Sequence, residues 1–324
     1  MRIKRIPNTE LSPSVLCLGT SHFGDTVDRD TSFELMDRFL EQGGSFLDTA
    51  KVYGDWVPGE RSLSEKTIGQ WLTSRKARSR VVLATKGAHP HLKTMQVPRL
   101  NREDIIADVE ESLRHLQTDY IDLYWLHRDD RERSVEDIME TMNDLVRQGK
   151  IRCFGCSNWR SDRIEAAQQA AMRHGLQGFA ASQIKWSLAS YPAGNDPTMV
   201  AMDEKELLYH ERSDLPAVPY NSQAAGFFSG RYRSADLLQA GADAVKTHKL
   251  ASAANIGKLK LVEETALRLS LTMTQVALGY LLSREFPVFP IIGCKTAEQL
   301  ASSCAAGALD DTVLAELRNI RFHP

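Results

Sequence analysis

The sequence predicts an α/β fold, a (β/α)8 TIM barrel with an N-terminal β-hairpin. Three observations carry that reading. Eight short apolar runs alternate with amphipathic runs of helical period from residue 15 to the end. No change of composition and no linker divides the 324 residues, so one domain over 1–324 is expected. The competing architecture, an open doubly wound sheet, commonly carries a G-x-G-x-x-G fingerprint after a strand, and none occurs here.

Taken in order, Arg2-Ile3-Lys4-Arg5-Ile6 alternates, Pro7-Asn8-Thr9-Glu10 suits a turn, and Val15-Leu16-Cys17-Leu18 enters the first core strand before Gly19-Thr20. Asp30 is placed to cap a helix through Gln42, with Phe33, Met36, Phe39 and Leu40 on one face. Phe46 to Thr49 is the second strand, and a helix over 63–75 carries Ile68, Trp71 and Leu72. Val81 to Thr85 is the third strand. Asn101 then caps a helix whose stripe is Ile105, Ile106, Val109, Leu113 and Leu116. Ile121 to Leu126 is the fourth strand, followed by a helix from Ser134 to Gln148 that Gly149 stops. Cys153 to Ser157 is the fifth, with a helix over 162–174; Phe179 to Ile184 is the sixth. A helix over 203–212 precedes the seventh strand, Pro216 to Tyr220. Residues 230–255 read as a large loop with some helix, and 256–285 as one or two helices. Pro287 to Ile292 is the eighth strand, and helices over 297–304 and 310–320 close the chain.

Bulk composition excludes several classes. Forty basic against 42 acidic residues give a formal charge of −2, which leaves no electrostatic footprint for nucleic acid or an anionic membrane surface. No apolar run reaches the roughly 18 residues of a spanning helix, and no signal-peptide apolar stretch follows Met1-Arg2-Ile3-Lys4-Arg5. A cytoplasmic protein is expected. Five scattered cysteines suit a reducing compartment. Cys153 and Cys156 have redox-motif spacing but lie in a strand, where positions three apart face opposite ways, so they read as buried thiols. His89-Pro90-His91 lacks a third metal ligand, so no metal site is expected.

Three of the strands end in a single ionisable residue. Asp48 ends the second, with Tyr53 five residues on; Lys86 follows the third; His127 follows the fourth. In a parallel barrel these four meet at the carboxyl end, together with Ser157, Asn158, Gln183 and Tyr220. Taken singly each has a plainer reading: an ion pair for Asp48 and Lys86, a core histidine for His127, packing for Tyr53 and Tyr220, caps for Ser157, Asn158 and Gln183.

The combination reverses those odds. Phe46-Leu47-Asp48-Thr49-Ala50-Lys51-Val52-Tyr53-Gly54, Ala84-Thr85-Lys86, the run Asp119 to His127, Gly149 to Asn158, and Ile292-Gly293-Cys294-Lys295-Thr296 stand in order across nearly the whole chain. With these motifs the chain resembles the aldo-keto reductase superfamily, in the bacterial branch similar to the potassium-channel β-subunits. That resemblance implies NADPH bound in extended form on a barrel, and matches Asp48, Tyr53, Lys86 and His127 to the catalytic tetrad. A carbonyl accepting hydride needs a proton; a free phenol, with a pKa of about 10, is a weak acid, and a nearby ammonium favours its phenolate. Asp48 would keep Lys86 charged, and His127 would bind the carbonyl oxygen.

The resemblance further assigns Ser157, Asn158 and Gln183 to the nicotinamide carboxamide and Tyr220 to the face of the ring. Gly19, Thr20, Gly293, Lys295 and Gln299 join the cofactor-binding set, with Lys295 suited to a 2′-phosphate, which favours NADPH (NADP+) over NADH. The sequence departs from the family's pattern at Tyr220-Asn221-Ser222-Gln223, at Gln299 and at Ser302-Ser303. The expected partner is a small-molecule carbonyl or alcohol. A rim of His22, Trp56, His89, His91, Arg128 and Asp129 suits a hydroxylated carbonyl such as a sugar derivative. The alternatives are a nucleotide-sensing partner subunit with little turnover and a Schiff-base lyase using Lys86.

Overall fold

The computed structural model describes residues 1–192 and 196–318. Seven strands form one parallel sheet: β1 (Cys17–Gly19), β2 (Phe46–Asp48), β3 (Val82–Gly87), β4 (Ile121–Leu126), β5 (Ile151–Ser157), β6 (Ser182–Gln183) and β7 (Ile291–Ile292). Their order is β6-β5-β4-β3-β2-β1-β7, so the last strand pairs with the first and the sheet curls. The helices are α1 (Arg29–Glu41), α2 (Leu63–Arg75), α3 (Arg102–Leu116), α4 (Val135–Arg147), α5 (Ser161–Arg173), α6 (Glu204–Ser213), α7 (Ser234–Ala240), α8 (Ala244–Thr247), α9 (Ala253–Leu269), α10 (Met273–Leu282), α11 (Ala297–Cys304) and α12 (Asp311–Arg318). Neighbours from α1 to α6 pack in turn, and α1 also packs on α11. Among the described residues no helix is long and apolar enough to cross a membrane.

Because both faces of the sheet are covered, its strands are buried along their length and read as continuous apolar runs. Alternation still sorts the side chains. Leu47, Leu83, Tyr124, Leu126 and Phe154 pack outward against the helices, while Cys17, Phe46, Ala84, Leu123, Trp125, Cys153 and Phe289 form an inner cluster. Ile6 and Leu11 of the N-terminal segment belong to that inner cluster. This segment folds back through Ile6 N–H to Leu11 O at 2.9 Å and Lys4 N–H to Pro13 O at 3.0 Å.

Several boundaries differ from those expected. The cap of α1 is Asp28, not Asp30: its carboxylate accepts the Thr31 N–H at 2.9 Å, and Asp30 falls in the first turn. The sixth strand shrinks to two residues. The seventh run does not form a strand; Ala217 makes isolated parallel bridges to Ser182 on one side and Val288 on the other. Pro216 and Pro219, like Pro287 and Pro290 opposite, supply no N–H to a ladder. The region 230–255 holds α7, α8 and the start of α9, and 256–285 resolves into α9 and α10. The last two positions of the helix expected over 310–320 lie outside the described residues.

Candidate active site

The inner rows continue past the sheet. Asp48 stands two residues after Phe46, Lys86 two after Ala84, and His127 two after Trp125, so strand parity turns all three inward at the carboxyl end. Lys86 is the centre. Its Nζ donates to Asp48 Oδ2 at 2.5 Å, to Thr49 O at 2.8 Å and to Tyr53 OH at 3.2 Å, which uses all three of its donors. Lys86 is 1% exposed and Asp48 2%. Burial opposes the Lys86 charge, but Asp48 and Tyr53 outweigh it, and the ammonium is held above its ordinary pKa.

Asp48 has two further donors on Oδ1, the Trp125 indole at 3.0 Å and the Gln183 amide at 2.9 Å. Trp125 can reach it because Gly155 faces it: a Cβ there would stand 2.5 Å from the indole ring. The sequence reading missed both residues. The signal for them is a glycine inside a strand at the inward parity.

His127 packs edge-on to Tyr53, centroids 6.0 Å apart, and to His89, 4.6 Å apart. Burial, then the charges of Arg128 and the groups beyond it, drive its pKa well below the ordinary value, so its ring is neutral at pH 7. Its Nδ1 is buried without a hydrogen-bond partner.

Two cavities meet at Tyr53 and Tyr220. The longer, about 570 Å³, runs from Asp48 past Gly19, Thr20 and Tyr220 to Gly293 and Lys295. The other, about 240 Å³, is walled by His89, His127, Ser157, Asn158, Gln183 and Trp56. Of the residues expected to bind cofactor, Gln299 alone lines neither cavity; its amide oxygen accepts the Lys295 N–H at 2.8 Å. Gly19 is explained by packing, since a Cβ would lie 2.6 Å from Ile291 Cγ2. Thr20 ties β1 to β2, donating from Oγ1 to Asp48 O at 2.9 Å. At Gly293 a Cβ would meet nothing within 4 Å, so backbone faces open cleft.

Asn158 (φ 62°) accepts the Tyr220 hydroxyl at 2.7 Å and the Val200 N–H at 3.1 Å, and it donates to Ser157 Oγ at 3.1 Å. It therefore sets the Tyr220 ring. The departures at Gln223 and Ser303 form one contact: Gln223 Nε2 donates to Ser303 Oγ at 2.9 Å while its Oε1 accepts the Gly293 N–H at 2.8 Å. Sequence alone could not join positions 80 apart.

The five cysteines are free thiols, four of them buried; burial pushes Cys153 up to about 12 and Cys156 higher still. Among the described residues no group of three or more His, Cys, Asp or Glu could hold a metal ion.

A parallel α/β sheet thus gathers an acid, an ammonium, a phenol and an imidazole over a cleft at its carboxyl end. The chain belongs to the aldo/keto reductase family, whose model matches residues 15–321, and is an NAD(P)H-dependent enzyme of that family. It is similar to norsolorinic acid reductase stcV of Emericella nidulans, 34% identical over 92% of this chain and 75% of that one. An uncharacterized oxidoreductase of Bacillus subtilis, YrpG, is 32% identical over 99% of this chain and 96% of its own length. A putative aryl-alcohol dehydrogenase of Saccharomyces cerevisiae is 28% identical over 90% of this chain and 78% of its own.

Proposed function

We propose that this protein reduces an aldehyde or ketone to an alcohol with NADPH, reversibly, and that Tyr53 is the proton donor. The observation that carries this is the Lys86 ammonium, fixed between Asp48 at 2.5 Å and the Tyr53 oxygen at 3.2 Å beside the cleft. As the Tyr53 proton leaves for the substrate oxygen, the phenolate charge forms next to a cation that needs no reorganisation. Asp48 keeps that cation in place. Neutral His127, with no acceptor at Nδ1, carries its proton on Nε2 and donates it to the carbonyl oxygen.

Bound nicotinamide would supply the hydride. The cleft fits such a dinucleotide: it is long, ends at an exposed lysine, and presents bare backbone at Gly293. Tyr220 stacks on the ring, and Ser157, Asn158 and Gln183 face the carboxamide. Gly19 and Thr20 floor the cleft, and Gln299 braces the Lys295 backbone. Lys295 reads the 2′-phosphate and favours NADPH over NADH. Lys295→Ala should weaken NADPH about tenfold or more and leave NADH nearly unchanged, measured by fluorescence titration; equal losses would remove that role.

The chain is one cytoplasmic domain over 1–324. It is a complete (β/α)8 barrel, with 216–220 as the stave between β6 and β7, and its N-terminal segment is a hairpin across the base. The substrate is a hydroxylated carbonyl such as a sugar derivative. A second reading is an aromatic carbonyl, which the relatives' names and the 46% exposed Trp56 favour. NADPH oxidation with a panel of sugar-derived and aryl aldehydes tests both. NADPH binding without turnover on every carbonyl would replace the enzyme with a nucleotide-sensing subunit.

A further inference from the structure

The smaller cavity contains a group that the proposed chemistry leaves unused. His89 sits on the loop after β3, 9% exposed, with its ring against His127 and lining the same cavity. Its backbone is clamped. The preceding Ala88 N–H donates to Asp108 Oδ2 at 2.8 Å, and Arg99 Nη1 donates to His89 O at 3.2 Å. The imidazole Nδ1 lies 2.6 Å from Pro90 O. A carbonyl oxygen only accepts, so Nδ1 carries the ring proton and Nε2 is left with a bare lone pair. Burial, then the charge of Arg128, push the His89 pKa down to about 4, so the second nitrogen stays unprotonated at pH 7.

Among the described residues no hydrogen bond reaches Nε2, and it is not among the fully buried unpartnered atoms, as the Nδ1 of His127 is; His89 lines this cavity and a small neighbouring one beside Lys51 and Arg99. Beside a ring that donates to the reacting oxygen there is thus a fixed acceptor with nothing to accept from. The two ring centroids are 4.6 Å apart. A carbonyl and the hydroxyl on its adjacent carbon can meet a donor and an acceptor held at that spacing.

We infer that His89 Nε2 selects substrates carrying a hydroxyl donor on the carbon next to the reacting carbonyl. The inference rests on the reductase reading above and narrows its substrate class to α-hydroxy aldehydes and ketones. A substrate lacking the donor leaves the Nε2 lone pair stripped of water and unpaired.

The test uses the full chain with NADPH and three aldehydes of one size class: lactaldehyde, propanal and 2-methoxypropanal, which has the oxygen but no donor. kcat/KM for lactaldehyde should exceed propanal by about five- to tenfold, with 2-methoxypropanal no better than propanal. His89→Phe should bring the lactaldehyde-to-propanal ratio close to one, and His89→Gln, which keeps an acceptor, should restore part of it. Equal efficiencies in the natural protein, or a ratio unmoved by His89→Phe, overturn the inference and leave the reductase reading intact. Reduction of none of the three would remove that reading and the inference with it. Nitrogen NMR of the natural protein gives a check that needs no variant. The His89 Nε2 should be the unprotonated nitrogen, and with NADP+ bound it should shift on adding lactaldehyde but not propanal. A protonated Nε2 overturns the assignment.

Discussion

Asp48 and Asp122 are two aspartates buried in the same sheet, one at each end, and each is bound to a cation. Asp122, near the start of β4, accepts from Arg78 Nη2 and Arg152 Nη1, each at 2.8 Å, and from the Leu83 N–H at 2.9 Å. Both guanidiniums stack on Tyr120, at 3.8 and 4.1 Å from its ring centroid. Asp48 accepts from Lys86, Trp125 and Gln183. As ion pairs the two differ little. They differ in the cation and in what its remaining donor faces. Arginine stays charged at any working pH and spreads its charge over a planar fork; lysine is a compact charge. At the amino end the spare donors go to backbone and Thr118. At the carboxyl end the spare donor reaches a phenol that lines a cleft. A buried ion pair alone says little about function; its third partner separates structure from chemistry.

Breaking that third partner gives the largest expected effect. Tyr53→Phe should lower kcat by about a thousandfold, the scale of a lost general acid, while NADPH binding and melting temperature barely move. Activity within tenfold of the natural protein would show that the proton comes from elsewhere.

Asp48→Asn should cost about a hundredfold in kcat and also change the pH profile. Asp48 raises the Lys86 pKa, so its loss lowers it, and the alkaline fall in rate should move to lower pH. Lys86 also carries a linkage signature. Its folded pKa lies above the ordinary 10.5, so its contribution to stability is complete below that value and is lost as pH rises past it.

At the other end, Asp122→Ala should reduce stability by about 2–3 kcal/mol, since it strands a buried Leu83 N–H and a partly buried Arg78. Rate per folded molecule should stay within threefold. A hundredfold loss there would erase the distinction between the two ends.

The last contrast is in acid stability. His127 and His89 beside the cleft, His210 among the aromatics and His248 all have pKa values lowered chiefly by burial, His89 and His210 to about 4. The unfolded chain takes up these protons first. Stability should therefore fall as pH drops from about 6.5 towards 4, with each of these histidines adding up to one proton to the slope. His210→Gln should remove about one proton from that slope in denaturant titrations, leaving kcat unchanged.

Most of this was legible along the chain. The helix α11 falls on the expected residues because its Thr296 cap and apolar period are local signals, and α2 does so on its apolar Ile68, Trp71 and Leu72 although Ser62 makes no side-chain cap bond. Asp48, Lys86 and His127 could be found because each stands at the end of an apolar strand, and parity then fixes the face; Tyr53 sits in the turn after β2 and was legible only through its motif. Less visible were features set by pairing between strands. Lys86 stands in register with Trp125, and only that register brings an indole to Asp48. The run 216–220 has the composition of a strand, but its prolines confine it to isolated bridges. The tautomer of His89 depends on one carbonyl oxygen, which no residue pattern announces.

Gly155 has a consequence for how this sequence can change. A single added methyl there would displace the indole, unseat a donor from Asp48 and loosen the ammonium's anchor, four strands' worth of geometry altered from the far wall. Position 155 is closed from two sides: the same methyl would stand 2.5 Å from the Ala181 carbonyl oxygen, so a slimmer residue at 125 does not make room for it, and glycine is held there whatever the indole does.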